Sequence, residues 1–172
     1  EAIKNLECTH VIILQGDEPL IYPEHLSKII NVIKKNLSIK AWNATGPIIS
    51  EMDLNNNAIV KCVISKDNRI YFCSRKSPCI SDYSDQIKII RKILGVIIFR
   101  KEFLLKFIDL PKGDLEEIEF IEQSRIIENN YSLYSIPLGE SLVSINYEHE
   151  LELVENILKE DHIQKSILDR IL

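Results

Sequence analysis

Val11-Ile12-Ile13-Leu14-Gln15-Gly16-Asp17-Glu18-Pro19 is the stretch on which the reading of the fold turns. Four apolar residues run on without alternation, the pattern of a strand buried on both faces in a parallel sheet. The run stops at Gly, Asp and Pro, which form turns readily. Pro23 then opens a helical segment with apolar residues at Leu26, Ile29, Ile30 and Ile33, a stripe suited to lying on a sheet. A further apolar run over Ile39–Ala44 completes a predicted βαβ unit.

Further along, Ala58–Ile64 and Arg69–Ser74 are β-rich and flank Ser65-Lys66-Asp67-Asn68, which predicts a hairpin. Residues 76–86 read as an exposed loop. Ile93–Phe99 predicts a strand in which Gly95 marks a close approach of backbone or ligand. A short helix over Lys101–Asp109 ends before Pro111. Asp114, with Glu117 three residues on, predicts a capped helix to about Glu128, with Leu115, Ile118, Ile121 and Ile126 on its buried side. Tyr131–Pro137 returns as a strand. Tyr147–Lys159 and Asp161–Leu172 read as helices, the second capped by Asp161 and Gln164. The predicted class is α/β in one domain over 1–172, with a mixed, largely parallel sheet flanked by helices and a β-hairpin insertion.

Composition narrows the function classes. The 172 residues are 45% hydrophobic and 27% charged, too apolar for a disordered chain, and charges interrupt every apolar run before it spans a membrane. The net charge of -5 comes with scattered Lys and Arg, so no basic stripe offers itself to nucleic acid. Cys8, Cys62, Cys73 and Cys79 lack a paired CxxC pattern, and the four His are dispersed, which argues against a zinc site. Reduced, mostly buried cysteines in a cytoplasmic protein are expected. The chain opens on Glu1 without Met, and is expected to be processed or an excerpt of something longer.

Chemistry is sought first at the turn after the opening strand, because ligands of open α/β sheets bind at the carboxyl ends of strands. Asp17 there is a candidate ligand for Mg²⁺, which takes one or two protein carboxylates plus substrate phosphates; it also suits a simple turn cap. Arg75, at the end of the hairpin, suits a carboxylate or phosphate, or an exposed surface position. Glu119 and Gln123 are four apart and share one face of the predicted helix, facing a sugar or solvent.

Taken together these blocks resemble the bacterial CMP-KDO synthetases, the 3-deoxy-manno-octulosonate cytidylyltransferases. Gln15-Gly16-Asp17-Glu18-Pro19-Leu20-Ile21 matches the family's QGDEPLI block. Val60-Lys61-Cys62-Val63 is similar to its VKVV strand, Phe72-Cys73-Ser74-Arg75 to its YFSR hairpin end, and Leu94–Arg100 to its LGIYGYR strand. Lys101-Glu102-Phe103-Leu104 resembles REFL, and Leu115–Arg125 resembles LExIExLEQLR. The resemblance runs from about residue 1 to 157. It implies a nucleotide-diphospho-sugar transferase-like fold and transfer of CMP from CTP to a 2-keto-3-deoxy sugar acid, with release of pyrophosphate, for lipopolysaccharide synthesis. Asp17 would bind Mg²⁺, Gln15 would hold nucleotide or sugar, Arg75 would face the anionic sugar, and Glu119 and Gln123 would contact its hydroxyls. A homodimer through residues 58–80 is also implied.

Three departures from the family stand out. Its opening strand and glycine-containing loop, whose Arg and Lys clamp the CTP phosphates, have no counterpart, so this chain alone is expected not to turn over CTP. Asn146 stands where the family's GVDTPEDL block has its second metal-binding Asp. Ile93 replaces a usual His before the LGIY strand. These keep open a different sugar acid, of the sialic-acid type, and a non-catalytic relative that binds a nucleotide or a partner.

Overall fold

A computed structural model describes residues 2–79, 81–140 and 142–171. Among them, six strands form one mixed sheet: β1 (His10–Leu14), β2 (Ala41–Gly46), β3 (Lys61–Ile64), β4 (Arg69–Ser74), β5 (Ile90–Arg100) and β6 (Leu133–Pro137). Their order is β1-β5-β2-β6-β4-β3, and β3 pairs back onto β5, so five strands close into a barrel-like ring with β1 added at the side. Only β2 and β6 run parallel; every other pairing is antiparallel. The sheet is thus mixed, as expected, but not largely parallel. Apolar runs report burial of two faces and carry no information on strand direction.

The predicted βαβ unit is present in split form. β1, α1 (Pro23–Lys35) and β2 follow one another, but β5 lies between the two strands and is antiparallel to both. β1 is not buried on both faces. It has β5 as its one neighbour, and Ile13 and Leu14 are exposed. Burial on both faces belongs instead to β5: Leu94, Val96 and Ile98 enter one apolar cluster with Trp42, Ile29 and Ile136, while Ile97 and Phe99 enter another with Phe103, Ile126 and Leu133. Alternate residues feeding two cores explain why its sequence is continuously apolar.

The hairpin forms as expected, with Asn68 taking a left-handed turn conformation at φ 65. It is no insertion, because β3 also pairs β5 and β4 also pairs β6. Short helices α2 (Glu51–Asn55) and α3 (Tyr83–Ile89) flank it, α3 occupying part of the predicted loop. After α4 (Lys101–Phe107), the single helix predicted to Glu128 is two: α5 (Asp114–Glu119) and α6 (Gln123–Glu128). Phe120 ends the first in the left-handed region. Asp114 does not cap α5; the Glu128 carboxylate reaches across and accepts from the N–H groups of Leu115 and Glu116. Ile121 and Ile126 are buried as expected, whereas Ile118 is 72% exposed.

α7 (His149–Glu160) and α8 (His162–Ile171) close the chain. Asp161 caps α8 through the N–H groups of Ile163 and Gln164. The buried Gln164 side chain makes no cap; it donates to Leu20 O at 3.0 Å, tying α8 to the turn after β1. Among the described residues no helix is long and apolar enough to cross a membrane.

Candidate functional site

The turn after β1 is sewn between two other segments. Gln15 N–H donates to Gly95 O at 2.8 Å, and Ile145 N–H donates to Asp17 O at 2.9 Å. The buried Glu18 bridges the same two segments: its Oε1 accepts from Gly95 N–H at 2.7 Å and from Ser144 Oγ at 2.8 Å. A Cβ on Gly95 would lie 2.5 Å from Gln15 Oε1 and 2.9 Å from Glu18 Cγ. The close approach expected at this glycine is therefore made by side chains of the turn itself.

A cavity of about 340 Å³ opens beside this turn. Gln15, Asp17, Arg75, Gln123 and Asn146, expected from sequence to serve a site, all line it. Glu119 does not. It stands behind Arg75, its carboxylate accepting from Arg75 N–H at 2.8 Å and its carbonyl from Arg75 Nε at 2.9 Å. The shared helix face expected for Glu119 and Gln123 is absent, because the break at Phe120 puts them on separate helices. Gln123 is buried and donates through Nε2 to Asn43 Oδ1 at 3.0 Å, while Asn43 Nδ2 donates to Leu94 O at 2.8 Å. That relay fixes the Gln123 amide from beneath.

Two buried charged groups of the cavity escaped the sequence reading. Glu18 lies next to the residue that drew attention, and burial pushes its carboxyl above the ordinary value, against the lowering effect of its bonds to Gly95 and Ser144. Its Oε2 has no hydrogen-bond partner among the described residues. Lys92 is the second. Burial pushes its ammonium below the ordinary value, and its Nζ donates to Leu142 O at 2.6 Å. The available signal was a pair of cations, Arg91 and Lys92, at the start of an otherwise apolar run, Ile90-Arg91-Lys92-Ile93-Leu94.

A hard cation finds oxygen donors here. Asp17 and Asn146 line the same cavity, and the Ile145–Asp17 backbone bond holds their segments side by side. The Asn146 Nδ2 donates to Ser144 O, and its Oδ1 has no partner among the described residues. Among those residues no three His, Cys, Asp or Glu side chains gather into a metal cage. One carboxylate and an amide oxygen still suit Mg²⁺, which keeps water and substrate phosphates in most of its positions.

This cavity lies at the carboxyl end of β1, walled by β5 and the α5–α6 turn. The family model described as cytidylyltransferase matches residues 1–142, and the chain belongs to that family. It is 29% identical over 161 residues to the 3-deoxy-manno-octulosonate cytidylyltransferase of Fusobacterium nucleatum, covering 94% of this chain and 65% of that protein. The enzyme of the same name from Chloroherpeton thalassium is 33% identical over 160 residues, covering 91% and 65%. That from Elusimicrobium minutum is 32% identical over 139 residues, covering 79% and 57%. The chain thus spans less than two thirds of the length of these relatives. A solved structure of CMP:2-keto-3-deoxy-manno-octonic acid synthetase complexed with CTP superposes with a TM-score of 0.84 at 19% identity, over 93% of this chain and 66% of the other.

Proposed function

We propose that this chain belongs to a CMP-KDO synthetase, which transfers CMP from CTP to the anomeric hydroxyl of 3-deoxy-manno-octulosonate and releases pyrophosphate. The observation that carries the reading is the convergence of Gln15, Asp17, Arg75, Lys92 and Gln123 on one cavity, in a chain whose relatives bear that name.

The reaction brings two anions together and develops charge at the α-phosphorus, so positioning and electrostatics do most of the work. Arg75 and Lys92 supply positive charge to a cavity that also holds Asp17 and Glu18. The Arg75 guanidinium is fixed by the carbonyls of Asn57, Glu119 and Phe120, so it meets a carboxylate substrate already oriented. The Gln15 and Gln123 amides offer hydrogen bonds to sugar hydroxyls. Asp17, with Asn146, would hold Mg²⁺, which when bound neutralises phosphate charge. The product would feed lipopolysaccharide synthesis in the cytoplasm, and the assembly would be a homodimer through residues 58–80.

Pyrophosphate release by the full-length protein with CTP, KDO and Mg²⁺ tests this reading. Turnover that Mg²⁺ removal abolishes is expected. No turnover with CTP binding intact would assign another sugar acid, of the sialic-acid type. Loss of CTP binding as well would make the protein a non-catalytic relative.

A further inference from the structure

Phe120 lines the cavity, and it joins none of the apolar clusters formed by the described residues. It ends α5 at φ 54, ψ 46, the left-handed region in which a bulky residue is strained and Gly or Asn is at ease. The end of α6 meets the same need with Asn130, at φ 61. The backbone at Phe120 is held through Arg75, which donates to the carbonyls of Glu119 at 2.9 Å and Phe120 at 3.5 Å. None of these bonds involves the ring. Phe120 is 80% exposed, joins none of the three apolar clusters, and has no aromatic or cationic partner among the described residues. Yet Phe120 lines the cavity, together with Ile59 and Ile93.

A phenylalanine in a conformation that disfavours it, largely exposed and set at the cavity, is accounted for by a ligand. We propose that Phe120 is a specificity-determining residue whose ring packs against a C–H face of the bound sugar acid, with Ile59 and Ile93 completing an apolar side of the site. Such a side favours a 2-keto sugar acid that presents a deoxy carbon there, since a hydroxyl facing phenyl and alkyl groups would lose its hydrogen bonds to water without replacement. The sugar is favoured over the cytosine base because Arg75, which donates to the Phe120 carbonyl, and Gln123, which lines the same cavity, suit a carboxylate and hydroxyls. This inference rests on the cytidylyltransferase reading.

The test is steady-state kinetics of the full-length protein with CTP, KDO and Mg²⁺, comparing wild type with Phe120→Gly and Phe120→Tyr. Phe120→Gly relieves the backbone strain, so its Tm is expected to match or exceed that of wild type. Its KM for KDO is expected to rise roughly tenfold, with KM for CTP within about twofold, the scale of losing one apolar contact to a substrate. Phe120→Tyr keeps the ring face and should keep the wild-type KM for KDO. An unchanged KM for KDO in Phe120→Gly overturns the proposal, and a rise confined to CTP overturns it in favour of a base platform. Failure of the wild type itself to turn over would instead remove the cytidylyltransferase reading, and this inference with it.

Discussion

Charges are buried in two regions of this molecule, and the two treat them in opposite ways. Where α5 meets α6, Glu116 and Arg125 face each other directly: Arg125 Nε donates to Glu116 Oε2 at 2.6 Å, and a second guanidinium nitrogen pairs with Oε1. That contact raises the Arg125 pKa above its ordinary value, holding the pair charged. Around the cavity, Glu18, Lys61 and Lys92 are just as buried, but none has an oppositely charged side chain within ion-pair distance among the described residues. Each is held by backbone or hydroxyl groups, and burial shifts each towards its neutral form. Paired burial is what architecture asks for. Unpaired burial keeps electrostatic capacity in reserve for an anionic ligand and its counter-ion.

The largest effect should come from breaking the paired region. Glu116→Ala leaves the Arg125 guanidinium poorly solvated and without its partner, at a cost of about 3–5 kcal/mol. Urea unfolding followed by circular dichroism reads that loss. A cost under 1 kcal/mol would mean that Arg125 finds water or the ring of Phe107, which lies 4.8 Å from its Cζ, and the contrast between the regions would fall.

Gly95→Ala probes the unpaired region. The new methyl would press on Gln15 Oε1 and Glu18 Cγ. The end of Gln15 is free to swing aside, but Glu18 is held at Oε1 from two sides. A stability loss of about 1–3 kcal/mol is expected, the usual range for overpacking. A larger proportional loss in pyrophosphate release should accompany it, because Asp17 and Gln15 move with the turn. Unchanged activity in a destabilised protein would show that the turn does not position the site.

The same contrast explains how far the sequence could be read. The succession β1-α1-β2, the hairpin and the Gly-Asp-Glu turn were legible because apolar period and turn chemistry are local. Strand direction was not, since β5 is equally apolar whether its neighbours run with it or against it. The break at Phe120 was invisible because Leu115–Ile126 keeps helical spacing through it, and what fixes the turn is Arg75, far away in the chain. For the site, Gln15, Asp17, Arg75, Gln123 and Asn146 were reached through motifs. Glu18 and Lys92 were missed because a charge reads as solvent-exposed until the fold buries it.

Lys61 gives the finest test. Its side chain is fully buried, its Nζ donates to the carbonyls of Asn56 and Arg75 at 2.5 Å each, and burial lowers its pKa from 10.5 to about 8, with the Arg75 charge adding to the effect. Between about pH 8 and 10.5 the unfolded chain therefore holds a proton that the folded chain has released. Stability rises with pH wherever the unfolded state binds more protons. Wild-type stability should accordingly climb across this window relative to Lys61→Met, in which the titrating group is gone. Taking the difference between the two proteins removes the background titration of tyrosines and cysteines, including Cys73, whose thiol burial pushes to about 12. Parallel stability curves for the two proteins from pH 8 to 10.5 would mean that the two carbonyls stabilise the ammonium as well as water does. Lys61 would then belong with the satisfied charges of the α5–α6 region rather than with those around the cavity.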